Sequence, residues 1–240
     1  MNKEDFPVFS RNDNLVYLDT AASAQKPTFV LDMMKDFASY KYANVHRGTY
    51  YLSEMATKLY EDARQTVANF LGANANDIIF VRGATEAINL IAQTYGRTLH
   101  AGDEVLISEA EHHSNLVPWQ MLTNEKGIVL KYINVLPSGV LDVDDFQKKL
   151  SEKTKLVSVT HISNVLGVLN PVEKIVKLAH QAGAKVLIDG CQGVVHTPVN
   201  LRALDVDFYA LSGHKLYGPT GIGVLYGKQE LMNGLPPYQG

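Results

Sequence analysis

A lysine flanked by a hydroxyl group, an imidazole and glycines is the pattern in this 240-residue chain that most directly suggests covalent chemistry. Lys215 lies in the run Ser212-Gly213-His214-Lys215, between an aliphatic strand candidate and the Gly-Pro pair at 218–219. A lysine amine that its surroundings partly deprotonate can form a Schiff base with a carbonyl compound. Most lysines are solvated surface residues, which is the alternative here, but the apolar strand before Lys215 favours the chemical interpretation.

A carboxylate at the end of a buried apolar run is the second candidate. Asp189 directly follows Val186-Leu187-Ile188. A carboxylate in such a position is costly unless it meets a cation. No neighbouring lysine or arginine in the sequence is an obvious partner, so we expect either a cationic nitrogen of a ligand or a salt bridge to a distant residue such as Arg82.

A turn of small residues that opens a helix is the third candidate. Gly83, Ala84 and Thr85 follow a strand candidate and precede a helical pattern. The first backbone N–H groups of a helix have no partner within it and can bind an anion such as a phosphate, with the Thr85 hydroxyl as a further donor. The alternative is an ordinary glycine turn in which Thr85 is the N-cap.

Two further strand ends carry polar residues, His112 with His113 and Asn164. The adjacent histidines could bind a metal, exchange protons or face a ring, but neighbouring side chains diverge and no HExxH spacing is present, so we predict no metal site. A solvated loop histidine is the simple alternative. Asn164 could bind a ring or a carboxylate, or it could stabilise its own turn.

Seven short apolar runs alternate with helical patterns and would position these residues. Continuous runs without polar alternation are typical of strands covered on both faces. The strand candidates are 78–81, 104–108, 129–133, 156–160, 185–189, 208–211 and 221–226, and the helix candidates are 26–42, 54–71, 85–95 and 171–182. This order predicts a three-layer α/β domain with a mostly parallel seven-stranded sheet, whose ligands bind at the carboxyl ends of the strands.

The composition excludes several classes of protein. At 46% hydrophobic and 20% charged residues the chain can form a core, and a net charge of −3 argues against nucleic acid as a partner. The one cysteine, Cys191, excludes an intramolecular disulfide framework. No apolar run is long enough to span a membrane, and the acidic N-terminus does not resemble a signal peptide, so we predict a cytoplasmic protein without membrane association.

The three main candidates together match one ligand. Lys215 would bind an aldehyde, the helix start at Ala84 and Thr85 would bind a phosphate, and Asp189 would face a pyridinium nitrogen. Pyridoxal phosphate carries all three groups, and a Schiff-base lysine with an acid beside the ring nitrogen is its recognised protein environment. Ser212 and His214 would share the phosphate, and His112 would lie over the ring.

The chain also resembles a known family, the fold-type I pyridoxal-phosphate enzymes of the class V aminotransferase group. Within this group it is most similar to the Suf-type cysteine desulfurases, also called selenocysteine lyases. The last of the matching runs, Ser212-Gly213-His214-Lys215-Leu216-Tyr217-Gly218-Pro219-Thr220-Gly221, is highly specific, and His112-His113 with Asn115 and Trp119 indicates the subgroup. The other matching runs are 17–27, 43–48, 80–86, 111–120, 163–167 and 189–192.

The resemblance implies a role for each matching residue. Lys215 would carry pyridoxal 5′-phosphate as a Schiff base and move the substrate α-proton, and His112 would stack on the ring and shuttle protons. Asp189 would keep the ring nitrogen protonated. Residues implied to contact the phenolic side of the ring are Asn164 and Gln192; those implied to bind phosphate are Ala84, Thr85, Ser212 and His214; those implied to contact substrate are Ala21, Ala22, His46, Arg47 and Asn164.

The resemblance further implies the reaction and the domain organisation. Residues 1–69 would form an N-terminal helical segment with substrate-entrance loops, and residues 70–240 the cofactor-binding large domain. Family members continue past this point with a small domain that holds the nucleophilic cysteine and a carboxylate-binding arginine, so Cys191 is interpreted as a small buried filler.

The implied activity is a cysteine desulfurase that converts L-cysteine, or L-selenocysteine, to L-alanine. Its sulfur would pass to an acceptor protein of iron–sulfur cluster assembly, and the enzyme would be a homodimer. Two alternatives stay open at this level: another class V lyase or epimerase, and a catalytically silent module for cofactor binding or dimerisation.

Overall fold

One mixed sheet organises the chain. The computed structural model describes residues 1–12 and 14–239, and within them the sheet has the strand order β1-β7-β6-β5-β4-β2-β3. Only β7 runs against its neighbours β1 and β6, so the other described strands place their carboxyl ends at one edge. The strands are β1 (Ile78–Val81), β2 (Glu104–Ser108), β3 (Val129–Ile133), β4 (Thr154–Thr160), β5 (Lys185–Asp189), β6 (Phe208–Ser212) and β7 (Gly223–Gly227).

The sheet is buried on both faces, as its continuous apolar runs predict. Along β4, Val157 and Val159 pack into one core while Leu156 packs into the other. In β5, Ile188 and Leu187 divide between the two cores in the same way. Successive side chains of a strand point to opposite faces, so apolar residues at consecutive positions require a layer on each side.

Helices supply these two layers. The described helices are α1 (Pro7–Ser10), α2 (Thr28–Asp36), α3 (Tyr51–Leu71), α4 (Ala84–Gln93), α5 (Val117–Lys126), α6 (Val143–Lys149), α7 (Val172–Gln181), α8 (Gly193–His196), α9 (Leu201–Leu204) and α10 (Gln229–Met232). Ile88 of α4 and Trp119 of α5 lie in one core, and Leu71 of α3, Phe146 of α6 and Ile175 of α7 lie in the other. The predicted three-layer α/β architecture with a mostly parallel seven-stranded sheet is therefore confirmed.

The predicted elements differ from the observed ones mainly at their ends. Strand β4 begins two residues earlier than predicted, and β7 begins two residues later than predicted. The predicted helix 26–42 is shorter, because Pro27 is the N-cap of α2 and residues Phe37–Lys41 form a π-helical turn. Proline is disfavoured within a helix and favoured at its first turn.

Six described helices were not among the predicted segments: the four-residue helices α1, α8, α9 and α10, and the longer pair α5 and α6. Both have start signals: Pro118 lies in the first turn of α5, and the Asp142 side chain accepts hydrogen bonds from the N–H groups of Asp144 and Asp145 at the start of α6. Their apolar periodicity is weak, and the caps alone do not reveal a helix to a search for periodic patterns.

The predicted division at residues 69 and 70 falls inside α3. Ala68 and Leu71, on either side of it, belong to one buried core. The assignment of 1–69 and 70–240 to separate parts of the molecule stays a prediction. In the described part of the chain, no helix is long and apolar enough to cross a membrane.

Candidate active site

A cavity of about 410 Å³ opens at the edge of the sheet where the parallel strands end. It brings together most of the residues that the sequence singles out, although they are dispersed along the chain. Its lining consists of Asp19, Ala21, Ala22, Ala84, Thr85, His112, Ser114, Asn164, Asp189, Cys191, Ser212, His214 and Lys215. Convergence of remote polar residues at the carboxyl ends of strands is the arrangement expected of an α/β ligand site.

A tight loop after β6 holds Lys215 in this cavity. The N–H groups of Leu216 and Gly218 both donate to the carbonyl of Gly213 at 2.9 Å, and the Gly213 N–H donates to Ile222 O. A Cβ atom at Gly218 would lie 3.0 Å from the Gly213 carbonyl oxygen, so a larger residue would be crowded there. The loop therefore presents the lysine from a fixed backbone.

Asp189 is a buried carboxylate without a cationic partner. It is 5% exposed, and its Oδ1 accepts a hydrogen bond of 3.0 Å from the Cys191 N–H. Within residues 1–12 and 14–239 it forms no ion pair. The alternative of a salt bridge to Arg82 is wrong, because Arg82 is bonded to Glu86 at 2.8 Å.

Cys191 lines the cavity but is a poor nucleophile. Its thiol is buried, and burial, together with the charge of Asp189, raises its pKa. The thiolate is the reactive form of cysteine, and these surroundings disfavour it. The interpretation of Cys191 as a small buried residue agrees with its position, although its place in the cavity wall was not predicted.

The start of α4 forms the corner of the cavity that would suit an anion. Gly83 is the N-cap and Thr85 is the second helical residue, so the alternative of Thr85 as N-cap is wrong. The Ala84 N–H donates to Ser212 Oγ at 2.9 Å, which joins this helix start to the end of β6. The first-turn N–H groups and the helix dipole favour negative charge here.

An unpartnered ring nitrogen lies at the same corner. Within the described residues, Nδ1 of His214 is buried and has no hydrogen-bond partner. Burial lowers the pKa of this imidazole, and the nearby Lys215 and Lys26 add to the effect. A buried polar atom without a partner indicates a ligand atom or a water that would complete it.

His112 and Asn164 enter the cavity from the loops after β2 and β4. His112 is the N-cap of the short turn His113–Asn115, and its Nδ1 lies 2.8 Å from Ser114 Oγ. The turn around Asn164 is stabilised by the Ser163 hydroxyl, which accepts from the N–H groups of Val165 and Leu166. Asn164 itself makes no side-chain hydrogen bond to the described residues, so the self-bonded turn is not its role.

The N-terminal segment forms one wall of the cavity through Ala21 and Ala22. Gln192 Nε2 donates to Ala21 O at 2.7 Å, and the Ala24 N–H donates to His214 O at 2.9 Å. Gln192 is buried and does not itself line the cavity, so its predicted contact with the cofactor stays a prediction. Its observed contact holds a wall residue in place.

Two predicted substrate residues lie away from this cavity. His46 is exposed and its Nε2 lies 2.9 Å from Glu61 Oε1, and Arg47 is also exposed. Their predicted role at the substrate entrance stays a prediction. Conversely, Asp19 and Ser114 line the cavity without having been singled out, although both fall within or beside runs that carry the family resemblance.

A half-buried glutamate, Glu111, directly precedes His112. Ser108 donates to it, as do Asn115 Nδ2 at 2.6 Å and the Thr160 N–H at 2.8 Å. Burial raises the pKa of Glu111 to about 8; these hydrogen bonds oppose the shift, and the charge of Asp189 adds to it. Glu111 begins the run 111–120 that carries the family resemblance, but nothing in the sequence shows its contact with the remote Thr160.

Comparison with known proteins identifies the family. The model of the aminotransferase class-V family matches residues 16–240, and the chain belongs to this family. It is 53% identical to a cysteine desulfurase of Dickeya dadantii, over 99% of this chain and 59% of the relative. The chain thus spans about 60% of the length of the relatives it matches.

Solved structures give the same result. The apo structure of a cysteine desulfurase from Thermococcus onnurineus NA1 is similar with a TM-score of 0.93 and 39% identity, over 98% of this chain and 58% of that one. The cysteine desulfurase CsdA (S-sulfonic acid) from Escherichia coli is similar with a TM-score of 0.90 and 42% identity, over 99% and 60%.

The residues present fit the pyridoxal phosphate that this family implies. The buried Asp189 lacks a cation, the His214 Nδ1 lacks a partner, and the Lys215 amine lies in the same cavity. Asp189 would pair with the ring nitrogen, His214 would bind the phosphate, and the Lys215 amine would react with the aldehyde. Among the described residues no group of three metal-ligating side chains occurs.

Proposed function

We propose that this chain binds pyridoxal 5′-phosphate, with Lys215 Nζ carrying it as a Schiff base. The observation that carries the proposal is one cavity that is lined by Lys215, by Asp189, whose carboxylate forms no ion pair, and by His214, whose buried Nδ1 has no described partner. Residues 70–240 would form the cofactor-binding large domain and residues 1–69 the helical segment and loops at its entrance.

Each cavity residue has a place in this proposal. Asp189 would accept a hydrogen bond from the protonated ring nitrogen. Asn164 and Gln192 would contact the side of the ring that bears the phenolic oxygen. The phosphate would be held by Ala84, Thr85, Ser212 and His214. His112 would cover the ring, and the substrate would meet Ala21, Ala22, His46, Arg47 and Asn164.

The chemistry follows from these positions. Bound pyridoxal phosphate supplies an electron sink that stabilises negative charge at Cα of an amino acid. Lys215 Nζ would remove the proton from Cα and return it, and His112 would shuttle protons. Asp189 would hold the ring nitrogen protonated, because a buried carboxylate favours a cation beside it.

We propose cysteine desulfurization as the reaction of the whole protein. The Cβ–S bond of L-cysteine would break, the sulfur would pass to a thiol as a persulfide, and the carbon skeleton would leave as L-alanine. L-selenocysteine would be an alternative substrate. The names of the relatives support this proposal, and the inert environment of Cys191 supports a persulfide-bearing thiol other than the one in these 240 residues.

A second candidate is cofactor binding without turnover. The observation that favours it is the same buried Cys191, because the chain has no other cysteine to accept sulfur. Another class V lyase or epimerase would need no thiol. Release of alanine and persulfide sulfur from L-cysteine distinguishes desulfurization from both.

The proposed partners follow from the proposed reaction. The sulfur would pass to an acceptor protein of iron–sulfur cluster assembly, and the chain would act as a homodimer in the cytoplasm. Persulfide chemistry needs reduced thiols, which the cytoplasm maintains. Large exposed apolar side chains near the N-terminus, among them Met33, Tyr40 and Tyr51, support contact with a further surface.

The cofactor site is tested by absorption spectroscopy of the purified protein with added pyridoxal phosphate, before and after borohydride. We expect a reducible visible band and a label that mass spectrometry maps to Lys215. Lys215→Ala should lose the band, whereas Lys177→Ala, an exposed lysine on α7, should keep it. An unchanged band in Lys215→Ala would remove Lys215 from its assigned role.

A further inference from the structure

The proposed mechanism leaves one buried polar network beside the cavity unused. Its centre is the Glu111 carboxyl, whose Oε1 accepts from the Thr160 N–H of β4 and from Ser108 at the end of β2, and whose Oε2 accepts from Asn115 Nδ2. One side chain therefore joins two strands of the sheet to the turn that follows β2.

The network continues from Asn115 into the core. Its Oδ1 accepts from Trp119 Nε1 at 3.0 Å and from Ser158 Oγ at 2.5 Å, and both Asn115 and Trp119 have 0% exposure. Every polar atom of the Asn115 amide group is thus directed: Nδ2 towards Glu111, and Oδ1 towards Trp119 and Ser158. Buried networks of this kind are rigid when every member is satisfied.

His112 lies inside the loop that this network closes. Glu111 precedes it, Asn115 follows three residues later, and the Asn115 N–H also donates to His112 O at 2.8 Å. The His112 ring itself is exposed, and its described hydrogen-bond contacts are with Ser114, a neighbour in the same turn. Anchorage of this turn to β4 therefore comes through Glu111 and Asn115.

The donor directions require a carboxyl group at position 111. Each of its oxygens faces an N–H group, so glutamine in the same place would turn its own NH₂ towards a donor at Thr160 or at Asn115. Protonation does not create this conflict, because a protonated Oε1 can donate to the Ser108 hydroxyl while both oxygens still accept an N–H.

We propose that Glu111 is a positioning residue, whose carboxyl ties the His112 turn to β4 and so keeps the His112 ring at the cavity. This inference rests on the proposed function for the importance of His112. The contact between Glu111 and the turn is independent of any cofactor, which allows the two proposals to be tested apart.

The test exchanges the donor and acceptor at two positions. Glu111→Gln breaks the network, and Glu111→Gln combined with Asn115→Asp restores it. In the double variant the new amide at position 111 would donate to the new carboxylate at position 115, which would still accept from Trp119 and Ser158. Glu109→Gln is the matched control, since Glu109 is exposed in the same loop. Circular dichroism verifies that each variant is folded.

Two readouts are measured. In the cofactor-free protein, the ring C–H signals of His112, assigned with His112→Gln, should shift in Glu111→Gln and return in the double variant. The affinity for pyridoxal phosphate should fall roughly tenfold or more in Glu111→Gln, as when outer hydrogen-bond partners of a ligand-binding residue are lost. The double variant should recover to within about threefold, and Glu109→Gln should match the wild type.

The inference is overturned if the His112 signals of Glu111→Gln match the wild type, or if the double variant is no closer to the wild type than Glu111→Gln. If Glu111→Gln does not fold, Ser108→Ala replaces it, because it removes one donor and keeps both N–H contacts; unmoved His112 signals there overturn the inference as well. Failure of the wild type to bind pyridoxal phosphate would instead refute the proposed function and leave the histidine readout valid.

Discussion

At the scale of single residues, Asp189 and Lys215 carry opposite formal charges at the ends of the neighbouring strands β5 and β6, yet they form no ion pair. Asp189 is buried, and no described side chain forms an ion pair with the negative charge of an ionised carboxylate at this position. Such a charge costs folding free energy, and it becomes favourable only when a cation binds beside it. The cofactor-free protein should therefore be less stable than a variant with a neutral residue at position 189.

Asp189→Asn should therefore have opposite effects on stability and activity. The asparagine Oδ1 can still accept from the Cys191 N–H, so the cofactor-free variant should unfold at a higher temperature, by roughly 2–4 °C for about 1 kcal/mol. Exchange of the substrate α-proton, followed by deuterium incorporation in the loaded protein, should slow by about 10²–10³-fold.

Either of two results would contradict this prediction. A clearly lower unfolding temperature of the cofactor-free variant would mean that the Asp189 charge is compensated in the folded protein. Proton exchange at the rate of the wild type would remove Asp189 from the mechanism.

The raised pKa of Glu111 predicts a pH-dependent stability. The pKa of Glu111 is about 8 in the folded protein, against an ordinary value of 4.5. Between these pH values the folded protein binds a proton that the unfolded chain releases. The stabilisation is complete below about pH 4.5 and is lost as the pH rises through about 8. The free energy of unfolding of wild type minus that of Glu111→Gln should decrease from pH 5 to pH 8, measured by urea denaturation; a constant difference would refute the shift.

The sequence predicts the residues at strand ends well and their partners poorly. Asp189 and Lys215 could be found because Asp189 ends one recognisable strand and Lys215 lies in the turn after another, and parallel strands end at one edge. Glu111 could not, because its significance depends on the Thr160 N–H from another strand. The predicted alternative of a salt bridge between Arg82 and Asp189 failed for a related reason. Arg82 pairs instead with Glu86, which lies only one helical turn away.

At the scale of elements, the segment that precedes α2 is attached to the sheet by few contacts. Gln192 Nε2 donates to Ala21 O and the Ala24 N–H donates to His214 O, while the hydrogen bond of 2.6 Å from the Tyr17 hydroxyl to Ser23 O lies within the segment itself. The wall of the cavity therefore depends on side chains and loops that are remote in the sequence. Periodicity in the sequence carries no information on such an attachment.

Gln192→Leu should release this wall while leaving the sheet intact. Loss of the hydrogen bond to Ala21 O should speed amide hydrogen exchange of residues 20–24, and pyridoxal phosphate should bind more weakly. Gln181→Leu, at an exposed position of α7, is the control and should exchange like the wild type. Unchanged exchange at residues 20–24 in Gln192→Leu would show that the other contacts suffice.

At the scale of the whole molecule, the two cores share one sheet. Trp119, the only tryptophan of the chain, is buried in the layer of α4 and α5, and Phe146 is buried in the opposite layer. Since β4 and β5 contribute side chains to both cores, loss of one core removes the support of the other. The architecture favours cooperative unfolding.

Phe146→Ala should lower the free energy of unfolding by about 3–5 kcal/mol, through lost burial and the cavity left behind. The denaturation midpoint should shift equally in Trp119 fluorescence and in far-ultraviolet circular dichroism, although Trp119 lies on the other face. A midpoint that moves in circular dichroism alone would show that the two layers unfold separately.

The reversed strand β7 also sets the order in which the protein can assemble during its synthesis. β1 pairs only with β7 among the strands described, and β7 separates it from β6. A ribosome therefore releases Ile78–Val81 long before its partner Gly223–Gly227 exists. The hydrogen bond between the Ala84 N–H and Ser212 Oγ belongs to the same late event. High sequence separation of contacts slows folding, and an edge strand that waits for its partner is exposed to chaperones and to aggregation meanwhile.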